Sequence, residues 1–259
     1  MTSDHLRSGV RATGAMVVLL GILEILARGF HVAPIVLEAP SNVVLEIVRN
    51  PELYLSNSWA TLYEVVIGFA LAAVLGIFVA FIIVYSRFMQ DTLYPIILLM
   101  QIVPKVAVAP VLVLFMGFGP SPKILIAVLI AFFPVVVNTA VGMREVDGEL
   151  LDLVRVLDGN RIQEFFLVRI PNALPFIFSG LKLAVTFAVI GAVIGEFVGS
   201  NKGLGYLVIL ASSQLKTEMT YASITLLSII GLVTYGAIAL SEHILVPWGK
   251  ENTNELRKA

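Results

Sequence analysis

Three stretches of this chain carry no charge over the length a helix needs to cross a bilayer. They are residues 65–86, between Glu64 and Arg87; 124–143, between Lys123 and Arg144; and 219–241, between Glu218 and Glu242. About 20 mostly apolar residues span the hydrocarbon core. Inside lipid every backbone N–H and C=O must be satisfied within the protein, so such runs fold as helices. Two further stretches qualify with an interior charge: 93–116 holds Lys105, and 176–198 holds Lys182 with Glu196 near its end. A sixth, about 12–30, is interrupted by Glu24 and Arg28, which stand four apart in acid-first order and can pair on one helix face. Arg7 and Arg11 before Ala15–Leu23 also look like the start of a signal peptide. No small-x-small cleavage site follows, however, and Glu24 falls where the apolar core should continue. The reading is a retained span, with a signal anchor as the alternative. The expected fold is all-α and integral to the membrane, with six transmembrane helices.

Composition removes most other classes. Only 14% of the 259 residues are charged and 58% are hydrophobic, where a soluble domain has about 25% and 45–50%. A net charge of −1 offers no basic field to nucleic acid. The absence of cysteine excludes disulfides, thiolate metal sites and cysteine nucleophiles. His5, His31 and His243 are scattered and form no ligand set. With no P-loop, glycine-rich dinucleotide turn or HExxH sequence, the chain shows no means of hydrolysing ATP and no catalytic residue.

The positive-inside rule sets the orientation. Six spans put both termini on one side, together with Arg7, Arg11, Arg87, Arg144, Arg155, Arg161, Arg169, Lys250, Arg257 and Lys258; the other side has Arg49, Lys202 and Lys216. Both termini are therefore expected in the cytoplasm. The chain divides into a tail with the first span (1–35), an extracytoplasmic segment (36–60), a five-helix core (61–248) and a second tail (249–259). Val43, Val44, Ile47 and Val48 make a short apolar stripe at helical spacing, read as a helix lying on the outer face. In the outer segment 199–221, Gly199, Gly203 and Gly205 predict a bent or re-entrant stretch before Tyr206–Leu210.

Residues 143–175 differ in kind, with ten charges in 33 residues of nearly balanced sign. The balance argues against anionic lipid, which favours clustered Lys and Arg. Leu150, Leu153, Val154 and Leu157 mark one amphipathic helix, Asp158-Gly159-Asn160 a turn, and Ile162, Phe165 and Phe166 the face of a second helix that Pro171 and Pro175 end. Such a cytoplasmic helix–turn–helix either docks a soluble partner or folds back onto its own helix ends.

The order Asp152-Leu-Val, Asp158-Gly159, Val168 and Ile170-Pro171 resembles the EAA loop of binding-protein-dependent ABC importer permeases. Aligned on Pro171, the family's Glu falls on Asp152, its two Ala on Leu153 and Val154, and its Gly on Asp158, one residue before Gly159. Four other stretches are similar to the same family. They are Thr61–Phe69, Gln101–Pro110 with Gly117-Phe-Gly119, Phe132-Phe-Pro134 with Asn138-Thr, and Glu196–Tyr206. Together the match runs from about 36 to 248, and looks most like the branch serving nitrate, sulfonates, taurine and pyrimidine precursors. The resemblance implies a type I importer permease fold with a cytoplasmic coupling helix. It also implies an assembly: a second permease copy, commonly making a homodimer, two cytoplasmic ABC ATPase subunits carrying ATP and Mg, and an extracytoplasmic substrate-binding protein, in a bacterial-type inner membrane. The docking residues it implies are Asp152, Leu153, Arg155, Val156, Asp158, Gly159 and Asn160.

Pro95, Pro104 and Pro110 fall in the third span, where each removes a helix hydrogen bond and favours a kink. Freed carbonyls at membrane depth face protein or a water cavity, so this helix either lines the path or bends only for packing. Lys105 in the same span costs at least ~2.5–3.5 kcal/mol to insert, and would face an anionic substrate or a boundary carboxylate. Lys182 reads as snorkelling, and Glu196 as a boundary or gate residue. Gln101, Asn138 and Thr186 are polar path candidates or interhelical hydrogen-bonding groups, while Gly180, Gly191 and Gly195 permit close packing. The competing function is a self-sufficient secondary transporter or channel. An intramembrane enzyme would need paired Asp, a Ser/His set or HExxH within the spans, and none is visible.

Overall fold

The computed structural model describes residues 14, 15, 18, 19, 21–29, 37–146 and 148–250. Helix α1 is described over 21–29, where Glu24 and Arg28 make the expected ion pair at 2.6 Å; the rest of the 12–30 reading, and most of both tails, lies outside the described residues. Every regular element described is helical. They are α2 (Pro40–Arg49), α3 (Pro51–Tyr85), α4 (Arg87–Ile102), α5 (Ala109–Met116), α6 (Pro120–Arg144), α7 (Gly148–Val156), α8 (Arg161–Glu164), α9 (Ile170–Gly199), α10 (Leu204–Ser213) and α11 (Thr217–Leu245). Proline opens α2, α3 and α6 at N1 or N2. There its missing N–H is one that no helical carbonyl would have accepted.

Among the described residues α3, α6, α9 and α11 are long and apolar enough to cross a membrane. The expected single span 93–116 is instead two helices, α4 and α5, bent by 82°. The break lies at Val103-Pro104: Val103 is extended, as a residue before proline tends to be, and a short 3-10 turn, Lys105–Val108, leads into α5. A bent pair counts as a fifth span. The outer stripe forms α2, but the next span starts at Pro51 rather than beyond Glu64, so Glu64 lies inside a helix.

The core is α6 packed between α3 and α9. Its centre is Val65 and Ala72 of α3, Ala127, Val128, Ala131 and Val135 of α6, and Ala184, Ala188 and Ala192 of α9. Small residues let these backbones approach, as helices must in lipid, where no hydrophobic force drives them together. A Cβ on Gly68 would stand 2.6 Å from Ala127 Cβ, and one on Gly191 would stand 2.6 Å from Ala127 Cα on the opposite side. Outward, Phe78, Leu114, Leu232 and Val233 are exposed, as lipid-facing side chains should be. The α10–α11 hairpin packs on α2, α3 and α9.

Candidate functional site: the 145–169 loop and a buried polar cluster

The α3–α6–α9 core carries distinctive chemistry at both ends. At one end α6 finishes at Arg144 and α9 begins at Ile170, with the loop between them. Its root is rigid. The Asn172 amide donates to the carbonyls of Gly142 and Glu145 at 3.2 and 2.6 Å, satisfying carbonyls that the end of α6 leaves open. Arg169 holds Glu164 at 2.6 and 2.9 Å and donates to the Met143 carbonyl at 3.1 Å. Phe165 packs edge-on to Phe81, with ring centroids 5.6 Å apart, and joins Met143, Ala173 and Ile177. The second amphipathic helix is short: α8 passes at once into a π turn, Phe165–Arg169.

The tip is sharply turned. Asp158 takes the left-handed conformation, φ 55°, which Asp tolerates better than most residues. The Gly159 N–H then bonds the Val154 carbonyl at 2.8 Å. The approach is so close that any Cβ on Gly159 would collide with the Val154 side chain and carbonyl. Asn160 and Gln163 exchange reciprocal bonds of 2.8 Å, a capping box that opens α8. Around this turn Leu153, Val156, Leu157, Ile162 and Phe166 are exposed, Val156 at 80%. Asp152, Asp158 and Asn160 are exposed beside them, whereas Val154 and Gly159 are half-buried. The Arg155 side chain lies outside the described residues. The expected stripe is thus split: Val154 and Phe165 turn inward, and the remaining apolar residues face away from the protein.

At the other end lies a cluster that sequence reasoning missed in part. Glu64 (α3) and Glu196 (α9) are each 2% exposed, and Lys123 (α6) is 4% exposed. Lys123 pairs with Glu64 Oε1 and reaches Ser200 Oγ at 3.0 Å. Three side chains receive the first N–H groups of α10: Gly203 donates to Asn57 Oδ1 at 2.7 Å, Leu204 to Thr61 Oγ1 at 2.8 Å, and Gly205 to Glu196 Oε2 at 2.5 Å. Thr61 Oγ1 in turn lies 2.6 Å from Glu196 Oε1 and can donate to it. The opening donors of a helix, orphans by geometry, are here capped by other helices, and a carboxylate suits that positive end. Gly203, at φ 115°, and Gly205 leave the space that the Glu196 carboxylate fills. Glu196, read as a boundary or gate residue, stands one turn from the end of α9 as a buried hub.

In the sequence Glu64 and Lys123 mark only the ends of charge-free runs. They are lone, opposite charges at the same end of their spans, but only the fold makes those spans neighbours. Lys182 is also corrected, because it pairs with Glu242 of α11 at 2.8 Å rather than snorkelling alone.

The five path candidates do not converge. Gln101 and Lys105 sit at the α4–α5 break, where the Lys105 ammonium donates to the Gln101 carbonyl at 3.0 Å and lies 4.5 Å from the Phe133 ring centroid. Asn138 donates to the Pro134 carbonyl at 2.8 Å where Gly180 abuts α6. Thr186 is exposed on α9 and bonds the Lys182 carbonyl at 3.1 Å. Glu196 lies in the cluster. A cavity of about 310 Å³ is lined by other residues, among them Ser212, Thr217, Thr220 and Tyr221 of the α10–α11 hairpin. Among the described residues no group of three His, Asp or Glu side chains is placed to hold a metal ion.

Residues 72–246 match the family described as the inner membrane component of binding-protein-dependent transport systems. The chain is 34% identical over 234 residues to a formylaminopyrimidine transport permease of Halalkalibacterium halodurans, covering 90% of this chain and 93% of that one. It is 32% identical over 190 residues to a nitrate import permease of a Synechocystis species, covering 73% and 69%. Among solved structures, the inward-facing methionine ABC transporter MetNI superposes with a TM-score of 0.64 at 18% identity, over 75% of this chain and 98% of that one. That likeness shows a shared fold. A match over most of its length, with a relative above 30% identity along nearly all of it, makes the chain a member of the binding-protein-dependent transport family, as an inner-membrane permease component.

Proposed function

We propose that the chain forms the translocation path of an ATP-driven importer and that residues 148–166 are where cytoplasmic ATPases attach. The carrying observation is the loop itself. A rigidly rooted turn presents Leu153, Val156, Leu157, Ile162 and Phe166 outward, flanked by Asp152, Asp158 and Asn160. Apolar side chains exposed among charges on a soluble loop mark a surface that a partner covers. The ATPase would bring the ATP and Mg site. A second permease copy and an extracytoplasmic binding protein complete the assembly, with both termini and the loop on the cytoplasmic side.

The test is capture of the cognate ATPase by detergent-purified permease. Leu153→Asp with Leu157→Asp is expected to lower capture at least tenfold while the helical content is unchanged. Undiminished capture, or solute transport by the reconstituted chain with neither ATP nor ATPase, overturns the reading. Gly159→Trp is a less clean test, because the closeness of Val154 makes it a folding defect as well.

The solute we propose is a small anion or a small aromatic molecule, as the names of the relatives suggest. For an anion, Lys105 is the contact: it stands at a break in the helix, paired with a carbonyl and a ring, and no carboxylate among the described residues forms an ion pair with it. Gln101 shares its elbow; Asn138 and Thr186 remain weaker lining residues. Lys105→Ala at equal membrane expression is expected to reduce anion uptake, and unchanged uptake removes the role.

A further inference from the structure

The buried cluster holds two carboxylates and one ammonium, and its bonds are unevenly filled. Glu196 is saturated, taking Gly205 N–H on one oxygen and the Thr61 hydroxyl on the other. Glu64 is not: Oε1 has Lys123, while Oε2 is buried with no hydrogen-bond partner. Lys123 pairs with Glu64 in this structure but also stands close to Glu196's helix. Its helix abuts α9 directly, since a Cβ on Gly195 would stand 2.8 Å from Lys123 Cα, and its ammonium already reaches Ser200 in the turn before α10. The only other charged residue at that turn, Lys202, contributes its backbone: its carbonyl and N–H both bond Ser200 Oγ. Should the start of α10 withdraw, Glu196 would lose the Gly205 donor, and Thr61 would lose the Leu204 N–H that it accepts. A buried carboxylate stripped of donors is costly, and Lys123 is the cation at hand.

We propose that the cluster is a two-position latch: Asn57, Thr61 and Glu196 hold the start of α10 on α3 while Lys123 pairs with Glu64, and Lys123 passes to Glu196 when α10 lets go. Two discrete pairings of one lysine give the bistability that a transporter element needs. The alternation of pairing is internal chemistry of this chain; that ATP drives it rests on the importer reading above.

The chain has no cysteine, so Leu55→Cys with Ile209→Cys, both exposed on α3 and α10, places spin labels with no background. Pulsed dipolar distances are measured in the purified permease and in its ATPase complex, with and without trapped ATP. In the permease alone, Thr61→Val and Glu196→Gln are expected to shift the distance by about one helical turn, on the order of 5 Å. The deciding variant is Glu64→Gln. Glu64 faces the Glu196 carboxyl but makes no hydrogen bond to α10 itself, so a purely static cap would leave α10 in place, whereas the latch predicts the same shift as Lys123 moves to Glu196. An unchanged distance in Glu64→Gln overturns the exchange. In a complex shown to bind and hydrolyse ATP, an unchanged distance between nucleotide states overturns the latch as a moving part. Failure to capture an ATPase sinks the importer reading instead, and the permease-only measurements still decide the latch.

Discussion

The two ends of the α3–α6–α9 core solve opposite problems. At the α10 end three helix starts are closed within the chain: Glu196 caps α10, Glu24 accepts the Ser41 N–H at the start of α2, and Glu38 accepts the Thr217 hydroxyl at the start of α11. The charged groups of its central cluster, Glu64, Lys123 and Glu196, are buried, and nearly all of their polar atoms are matched. At the loop end the part-buried polar bonds tie the root, and apolar groups around the tip are left outside. A chain that can bury Lys123 so thoroughly has no general difficulty in covering Val156. On the proposed reading, the first end is finished by folding, while the second is finished by assembly.

The largest expected effect breaks the closed end. Lys123→Met would strand the buried Glu64 carboxylate and should cost about 3–5 kcal/mol, because removing one partner of a buried ion pair leaves uncompensated charge. Thermal denaturation of purified protein checks it. The sharper half is the double variant Lys123→Met with Glu64→Leu, which removes both poles of the pair and should recover much of that loss. A double variant as unstable as the single would show that the pair is not the unit of stability.

Next is the core that joins the two ends. Gly191→Leu drives a side chain into the Ala127 backbone, where even a Cβ would stand at 2.6 Å. Overpacking of this kind costs about 1–3 kcal/mol. The substitution should lower the denaturation midpoint and disturb both ends together, since α9 carries both Glu196 and the root of the loop. A loss confined to one end would mean that the core does not couple them.

What could be read from the sequence follows the same division. Charge-free runs gave the spans because lipid tolerates little else there, and Glu24–Arg28 paired because the two are one turn apart. The turn at Asp158-Gly159 was legible from its residue types. Glu64–Lys123 was not, because its partners are 59 positions apart and a lone charge in a local window reads as a boundary. The bend at Val103-Pro104 was legible as a kink; its 82° is a tertiary outcome, fixed by what α4 and α5 each pack against. The inward turn of Val154 also escaped the periodicity, because the chain reverses over it at Gly159.

At the loop, a smaller effect is expected from Asn160→Ala. It removes the side-chain half of the capping box, so the Gln163 N–H loses its acceptor. The loss should be about 1 kcal/mol, visible as faster amide exchange confined to 161–164 and not as a shift in global unfolding. Faster exchange at the α10 end as well would contradict the separation of the two regions.

The smallest expected effect on stability is the most telling. Val156→Ser changes a side chain that is 80% exposed, and substitutions at such positions usually stay within about 0.5 kcal/mol. Its denaturation curve should therefore overlay that of the unaltered protein, while ATPase capture weakens. If Val156 instead packed within its own chain, burial would be lost on truncation, stability would fall and capture would follow only through misfolding. The two measurements on one variant thus separate a surface left open for a partner from a loop folded back on itself. Lys123→Met at the closed end predicts the reverse pattern, with stability lost and the loop surface unchanged in whatever protein still folds.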